Sequence, residues 1–202
     1  MAVEFKHSET KDNLMRAFAG ESQARNRYTF GAALARKQNQ AAIAQIFLYT
    51  ADQEKEHAEI FYNHLRELAK ESIHVDGSYP VDLTEDLGEL LRMAQHNEYK
   101  EHDEVYQSFG DKAMEEGFQR VAHSFYQIAK IEKFHGDRFG KFAQWMEENK
   151  LHVSGVSQGW ICLNCGHIYM GESAPKVCPV CEHDQGYFIR LELSPFAGPR
   201  QE

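Results

Sequence analysis

Four long segments of the sequence have apolar residues at the three- and four-residue spacing of a helix, and ionisable residues interrupt each apolar stripe near its middle. In two segments the interruption is a Glu-x-x-His pair, and in the other two it consists of glutamates alone. The interrupting residues are Glu21, Glu54, His57, Glu98, Glu101, Glu132 and His135. Because each lies on the face that should pack inward, we expect acids and imidazoles to meet inside a helical core.

The spacing of these acids indicates an internal repeat. Glu21 precedes Glu54 by 33 residues, and Glu98 precedes Glu132 by 34. Each interval runs from the middle of one predicted helix, across a short turn, to the middle of the next helix. The sequence therefore predicts two similar helical hairpins that face each other across one layer of ionisable groups.

We place the four helices at about residues 9–36, 40–70, 84–115 and 118–148. The first pair and the second pair are each joined by only a few residues, which favours antiparallel hairpins. The connection between the pairs, 71–83, is longer and contains Gly77 and Pro80, so it can cross a bundle. The predicted fold is mainly α, a four-helix bundle.

Burial of this many carboxylates requires compensating positive charge. A single buried ionised carboxylate costs several kcal/mol even after relaxation. Two divalent cations would compensate for the layer, and one Glu from each of two helices with a Glu-x-x-His from each of the others is the ligand set of di-iron bundles. Oxygen and imidazole ligands suit iron, with manganese as the next candidate.

All four cysteines lie in two C-x-x-C pairs, and 12 residues separate the pairs. Four thiolates at this spacing predict a closed tetrahedral metal site. Taken alone, such a module most often holds zinc. A redox-active iron gains weight because a di-iron centre in the same chain would consume electrons. The four ligands are Cys162, Cys165, Cys178 and Cys181.

Composition and charge narrow the classes of partner. The 202-residue chain has a formal net charge of −9 and lacks a dense basic run, which argues against nucleic acid and anionic membranes. No apolar run approaches the length of a membrane span, and the first residues lack a secretory signal, so we expect a cytoplasmic protein. We divide the chain into a bundle at 1–150, a linker at 151–158 and a cysteine domain with a tail at 159–202.

These motifs together resemble the rubrerythrin family over essentially the full length of the chain. The resemblance rests on five motifs: AGESQARNRY at 19–28, TADQEKEH at 50–57, the pair Glu98-x-x-Glu101, the pair Glu132-x-x-His135, and the C-x-x-C-G and C-P-x-C elements of the cysteine module. It implies a ferritin-like four-helix bundle with a di-iron centre, followed by a small rubredoxin-like domain that holds one iron in a four-cysteine site.

The resemblance also implies roles for individual residues. The cysteines would hold the single iron, and His57 would replace Glu101 as a ligand of one di-iron atom when the centre is reduced. Glu101, His57 and Tyr28 are the candidate catalytic residues, although Tyr28 fits an ordinary core aromatic equally well. The remaining di-iron ligands would be Glu21, Glu54, Glu98, Glu132 and His135.

The activity that the resemblance implies is reduction of hydrogen peroxide to water in defence against oxidative stress. Electrons would come from an NAD(P)H-linked reductase or a rubredoxin-type donor, and the protein would be a homodimer. Ferritin-type oxidation and storage of ferrous iron is the main alternative. A metal-stabilised interaction protein is a third, but it leaves the buried acids unexplained.

Overall fold

The computed structural model describes residues 3–194, and the tail predicted beyond them lies outside the described residues. Within these residues the regular structure consists of five α-helices, three strands and several short 3-10 or π-helical turns. The helices are α1 Glu9–Lys37, α2 Ala41–His64, α3 Leu87–Lys100, α4 Tyr106–Glu115 and α5 Gln119–Glu147. A π-helical stretch over Glu101–Val105, called here the π turn, joins α3 to α4. The predicted third helix is therefore one helix with a widened turn inside it, and the fold is a four-helix bundle.

The helix ends follow from local side-chain chemistry. Ser8 caps α1 by accepting a hydrogen bond from the backbone N–H of Lys11, and Asp86 caps α3 by accepting one from Glu89. The chain turns between the hairpin helices at Asn39 and Gly117, both with positive φ. Our second helix was predicted to reach residue 70, but α2 ends at His64 and only a short 3-10 turn follows, at Arg66–Leu68.

Two apolar clusters fill the bundle, one on each side of the acidic layer. The first contains Phe47, Leu91 and Phe139, and the second contains Phe61 and Phe125. Packing of large aromatic and aliphatic side chains on both sides excludes water from the layer between them. In the part of the chain that the structure describes, no helix is both long and apolar enough to cross a membrane.

The cysteine-rich segment forms a three-stranded antiparallel sheet in the order β2-β1-β3. The strands are β1 Val153–Cys162, β2 Ile168–Ser173 and β3 Phe188–Arg190. Most of the predicted linker at 151–158 therefore lies in β1, because residues 153 and 158 pair with β2 across an irregular step in register. The division into domains remains a prediction.

The sheet packs directly against one end of the bundle. Ile189 of β3 belongs to the first apolar cluster of the bundle. The Arg190 guanidinium lies 4.0 Å from the ring centroid of Trp145 in α5 and 5.6 Å from that of Trp160 in β1. An apolar contact and a shared cation thus fix the sheet against the helices.

Candidate metal centres

Each of the four bundle helices contributes ligand-type side chains to one buried layer. Glu21 comes from α1, Glu98 from α3, and a Glu-x-x-His pair from each of α2 and α5. The four carboxylates and His135 are at most 1% exposed, and His57 is 5% exposed. The i, i+3 spacing places both members of each pair on the same helix face, so all six side chains point into the layer.

The six residues form two overlapping groups of four. Within each group, one ligand atom from every residue lies within 4.8 Å of the others. One group is Glu21, Glu54, His57 and Glu132, and the other is Glu54, Glu98, Glu132 and His135. Glu54 and Glu132 belong to both groups, so each would contribute to both positions if the layer held two cations.

Both imidazoles present the same nitrogen to the layer. Nδ1 of His57 lies 3.0 Å from Glu132 Oε1 and 3.1 Å from Glu54 Oε2. Nδ1 of His135 lies 2.9 Å from Glu54 Oε1 and 2.9 Å from Glu132 Oε2. The rings are stacked with an interplanar angle of 17°. The two halves of the layer are therefore related by approximate two-fold symmetry, as the sequence repeat predicts.

Several inward-facing atoms of the layer fit a cation better than they fit each other. One oxygen each of Glu21, Glu54 and Glu98, both oxygens of Glu132, and Nδ1 of His135 lack a hydrogen-bond partner within residues 3–194. The close contacts of His135 Nδ1 thus lack hydrogen-bond geometry. Buried polar atoms are rarely left without partners, and converging carboxylate and imidazole atoms suit a divalent cation. The residues fit a pair of iron ions.

The ionisation of the layer leads to the same conclusion. Burial, reinforced by neighbouring glutamates, raises the pKa of Glu21 well above its usual value, and burial and Glu54 raise the pKa of Glu98 to about 8. Burial also acts to raise the pKa of Glu54, but the adjacent imidazoles outweigh it and hold the pKa at about 2. Without added cations the layer depends on protonated side chains to balance its charge.

Two tyrosines hold carboxylates of this layer from outside. Tyr28 of α1 donates a hydrogen bond to Glu98 Oε1, and Tyr106 of α4 donates one to Glu21 Oε1. Each bond joins the two hairpins, since donor and acceptor are on different ones. Both tyrosines are at most 2% exposed. Tyr28 therefore touches a predicted ligand as well as packing in the core, and Tyr106 is its counterpart.

The structure places Glu101 differently from the other predicted ligands. It belongs to neither group of four, it begins the π turn, and it is partly exposed. Burial, and then the charges of Glu98 and Glu132, raise its pKa well above the usual value. His57 occupies a place in the group beside Glu21 while Glu101 lies outside. The exchange of these two ligands remains a prediction.

An outer contact that the sequence analysis missed supports His135. Its Nε2 lies 3.1 Å from Oε1 of Gln53, and Arg138 donates from Nη1 to the same oxygen at 3.2 Å and to Thr50 at 2.9 Å. Gln53 and Arg138 flank the apolar stripes, where polar residues usually face solvent. The signal in the sequence is weak: Gln53 directly precedes Glu54, and Arg138 follows His135 by three residues.

The second candidate centre joins the four cysteines in the sheet domain. The Sγ atoms of Cys162 and Cys181 are 3.7 Å apart, and those of Cys165 and Cys178 are 3.6 Å apart. All four thiols are free and their Sγ atoms lie within 4.8 Å of one another. Cys165 is exposed, whereas Cys162 and Cys178 are buried. One edge of this site is therefore accessible to a partner.

The two C-x-x-C loops have matching backbone geometry. Gly166 N–H donates to Cys162 O at 2.8 Å, and Glu182 N–H donates to Cys178 O at 3.0 Å. Gly166 and Glu182 both have positive φ, which lets the chain fold back around the thiols. Four sulfur atoms held by two such loops form a closed tetrahedral donor set of the kind that binds zinc or a single iron.

Comparison with known proteins finds a match for the helical part of the chain and another for the cysteine-rich part. Residues 12–143 match the protein-family model described as Rubrerythrin, and residues 160–189 match the rubrerythrin, rubredoxin-like domain. The chain is 45% identical to a rubrerythrin of Clostridium perfringens, over 91% of this chain and 94% of that protein. It is 37% identical to a rubrerythrin of Nitratidesulfovibrio vulgaris, over 94% of this chain and 97% of that protein.

The fold also resembles a solved structure described as the fully reduced, all-ferrous state of nigerythrin. The TM-score is 0.61 at 26% identity, with 91% of this chain and 90% of that chain covered. The similarity therefore extends over the helical bundle and the cysteine-rich sheet together.

Proposed function

The chain belongs to the rubrerythrin family, and on that premise we propose that it reduces hydrogen peroxide to water with electrons from an NAD(P)H-linked donor. The family's di-iron site and its four-cysteine site are both present in the chain. The observation that carries the proposal is this combination. A buried two-cation layer can store an electron pair, and a separate cysteine site with an exposed edge can receive electrons one at a time.

The reaction consumes two electrons and two protons for each peroxide and yields two molecules of water. The chemistry that a bound iron pair supplies is two one-electron reductions together with Lewis-acid polarisation of the O–O bond. The protein supplies the geometry. Glu54 and Glu132, shared by both ligand groups, fix the separation of the two positions, and the apolar clusters on both sides exclude bulk water.

We assign individual tasks from the contacts of each side chain. Tyr28 and Tyr106 hold Glu98 and Glu21 in one orientation through their phenolic hydrogen bonds. Glu101, which faces partly outward, holds and transfers a proton at its carboxyl group. His57 keeps Nδ1 directed into the layer, so that the layer retains a full set of donors while Glu101 lies outside it.

The remaining parts of the proposal concern partners and location. The exposed Cys165 edge is the proposed contact for a reductase or a rubredoxin-type donor. We propose a cytoplasmic location, since four free thiols gathered at one metal site suit a reducing compartment. We also propose a homodimer, which the family resemblance implies. Each of these points can be tested separately from the peroxidase chemistry.

The decisive experiment measures NADH consumption by the iron-loaded full-length protein with a suitable reductase, with and without hydrogen peroxide. Peroxidase function predicts sustained NADH consumption at one NADH per peroxide. Ferritin-type storage predicts repeated oxidation of added ferrous iron with retention of the ferric product, and no peroxide-dependent NADH turnover. Absence of turnover with several donors, combined with iron retention, would favour storage.

A further inference from the structure

A cavity of about 670 Å³ opens beside the acidic layer. It lies between α1, the helix formed by α3, the π turn and α4, and a segment of irregular chain over residues 76–82, called here the strap. Residues that line it include Gly20, Gln23, Tyr79, Glu101, Tyr106 and Phe109. Cavities of roughly 300–1,000 Å³ are the usual size of small-molecule sites.

The cavity reaches the metal layer at one defined place. Glu101, the predicted ligand that is partly exposed, lines it, and so does Tyr106, whose hydroxyl donates to Glu21. The other four predicted glutamate ligands are at most 1% exposed. A molecule in this cavity therefore approaches the layer from the side of Glu101.

The strap forms the outer wall and is attached at both ends. Asp76 pairs with Arg16 at 3.0 Å, and the Tyr79 hydroxyl donates to the Arg16 carbonyl at 3.0 Å. At the other end, Asp82 accepts hydrogen bonds from Arg27 at 2.5 Å and from Asn97 at 2.7 Å. These bonds tie the strap to both α1 and α3, so the width of the cavity is set by the fold.

The lining combines apolar side chains with polar and charged ones, among them Lys100 and Glu104. Ala17, Pro80, Val105 and Phe109 provide apolar surface. Gln23 provides a hydrogen-bond donor, because its Nε2 has no partner among the residues described, while its Oε1 accepts from Arg27 at 2.6 Å. Such a lining suits a molecule with one small apolar group and one polar end.

We propose that this cavity is the binding site through which hydroperoxides reach the layer, and that it admits small organic hydroperoxides as well as hydrogen peroxide. The inference rests on the proposed peroxidase function and extends its substrate class. The –OOH end lies toward Glu101 and Gln23, and the alkyl group packs against the apolar side chains. Reduction cleaves the O–O bond and converts ROOH, two protons and two electrons into ROH and water, with electrons from the same NAD(P)H-linked donor.

The test uses a pair of substitutions in the strap of the full-length, iron-loaded protein. Ser78 lines the cavity, whereas Val81 is 82% exposed and does not. Reduced Ser78→Trp and Val81→Trp are mixed with hydrogen peroxide or tert-butyl hydroperoxide in single-turnover stopped-flow experiments. Ser78→Trp should slow the reaction with tert-butyl hydroperoxide by about tenfold or more and that with hydrogen peroxide by much less. Val81→Trp should match the parent protein.

Azide binding to the oxidised protein, followed by absorbance, provides a readout independent of turnover. Ser78→Trp should slow azide association while iron content stays the same. A second pair on α4 guards against rearrangement of the strap: Ser108 lines the cavity, and Met114 is 48% exposed and does not. Ser108→Trp should reproduce the effect, and Met114→Trp should not.

The outcomes separate this inference from the function on which it rests. If the parent protein does not react with hydrogen peroxide, the proposed function is wrong. If it reacts with hydrogen peroxide but not with tert-butyl hydroperoxide, the wider substrate class is wrong. If both cavity variants match their controls with both hydroperoxides and with azide, the cavity is not the route to the layer.

Discussion

Nε2 of His135 and Nη1 of Arg138 both approach one atom, Oε1 of Gln53, at 3.1 and 3.2 Å. An amide oxygen only accepts hydrogen bonds, so Nε2 carries a proton, and in the neutral imidazole that a metal requires this is the ring's one proton. Nδ1 is then the nitrogen with a free lone pair, and it faces the acidic layer. Because Arg138 donates to the same oxygen, it opposes rotation of the Gln53 amide that would present its NH2 group instead.

Replacement of Gln53 by leucine should weaken iron binding in the bundle. Without an acceptor at Nε2, the His135 ring loses both its preferred tautomer and its orientation, and loss of such an outer contact typically costs about 10–100-fold in metal affinity. Titration of the apoprotein with ferrous iron under anaerobic conditions measures the effect. Gln45→Leu, at an exposed position of the same helix, is the control. Equal affinities for the two variants would contradict the role of Gln53.

Removal of shared and unshared acids should have different effects on iron content. Glu54 belongs to both ligand groups, so Glu54→Ala should empty both positions of the layer. Glu98 belongs to one group, so Glu98→Ala should lower occupancy mainly at one position. Metal analysis with visible spectroscopy checks this, and the spectrum of the four-cysteine site should persist in both variants. Loss of the cysteine-site spectrum with retention of iron in the bundle would contradict the assignment.

Loss of the four-cysteine site should separate single from repeated turnover. In Cys178→Ala/Cys181→Ala, half of the thiolate set is missing while the layer in the bundle is complete. Chemically reduced protein should still consume one equivalent of hydrogen peroxide, because the stored electron pair suffices for one reaction. Peroxide reduction driven by NADH and a reductase should fall by about tenfold or more. Sustained rates equal to those of the parent protein would show that electrons enter elsewhere.

The free energy of unfolding should decrease in acid because of His152, which lies where the bundle meets the sheet. Burial, with a smaller effect of Lys176, lowers the pKa of His152 from 6.5 to about 4, while Asp184 opposes the shift. The unfolded chain therefore binds a proton more readily than the folded chain does. The resulting stability is fully present above about pH 6.5 and is lost as the pH falls toward 4.

Urea unfolding of the parent protein and of His152→Gln at pH 7.5 and pH 5 measures this effect. The parent should lose about 1–2 kcal/mol more than the variant over this interval, since glutamine does not titrate. His123→Gln, at an exposed position of α5, should behave like the parent. An identical pH dependence in the parent and in His152→Gln would contradict the prediction.

The bundle could be predicted from the sequence because the helical period and the ligand pattern coincide. Interruptions of four apolar stripes are enough to place Glu21, Glu54, Glu98 and Glu132 in one layer. The π turn was missed because Glu101–Val105, taken alone, reads as ordinary helix. Its signal is only visible when the two hairpins are compared, since the interval from Glu98 to Tyr106 is one residue longer than the interval from Glu21 to Tyr28. Strand β1 was missed over its first residues, since its pairing with β2 is a long-range property of residues that are mostly polar or glycine.

The π turn makes the two halves of the bundle unequal. Tyr28 follows Glu21 by seven residues, whereas its counterpart Tyr106 follows Glu98 by eight, and one extra residue is what a single π-helical turn accommodates. Three residues after Glu21 the first hairpin has Ala24, buried at 1% exposure, while at the same step the second hairpin has Glu101 beside the cavity. Two nearly equivalent hairpins thus leave the layer closed beside Ala24 and next to a cavity beside Glu101. The metal layer therefore has one direction from which a molecule can approach it.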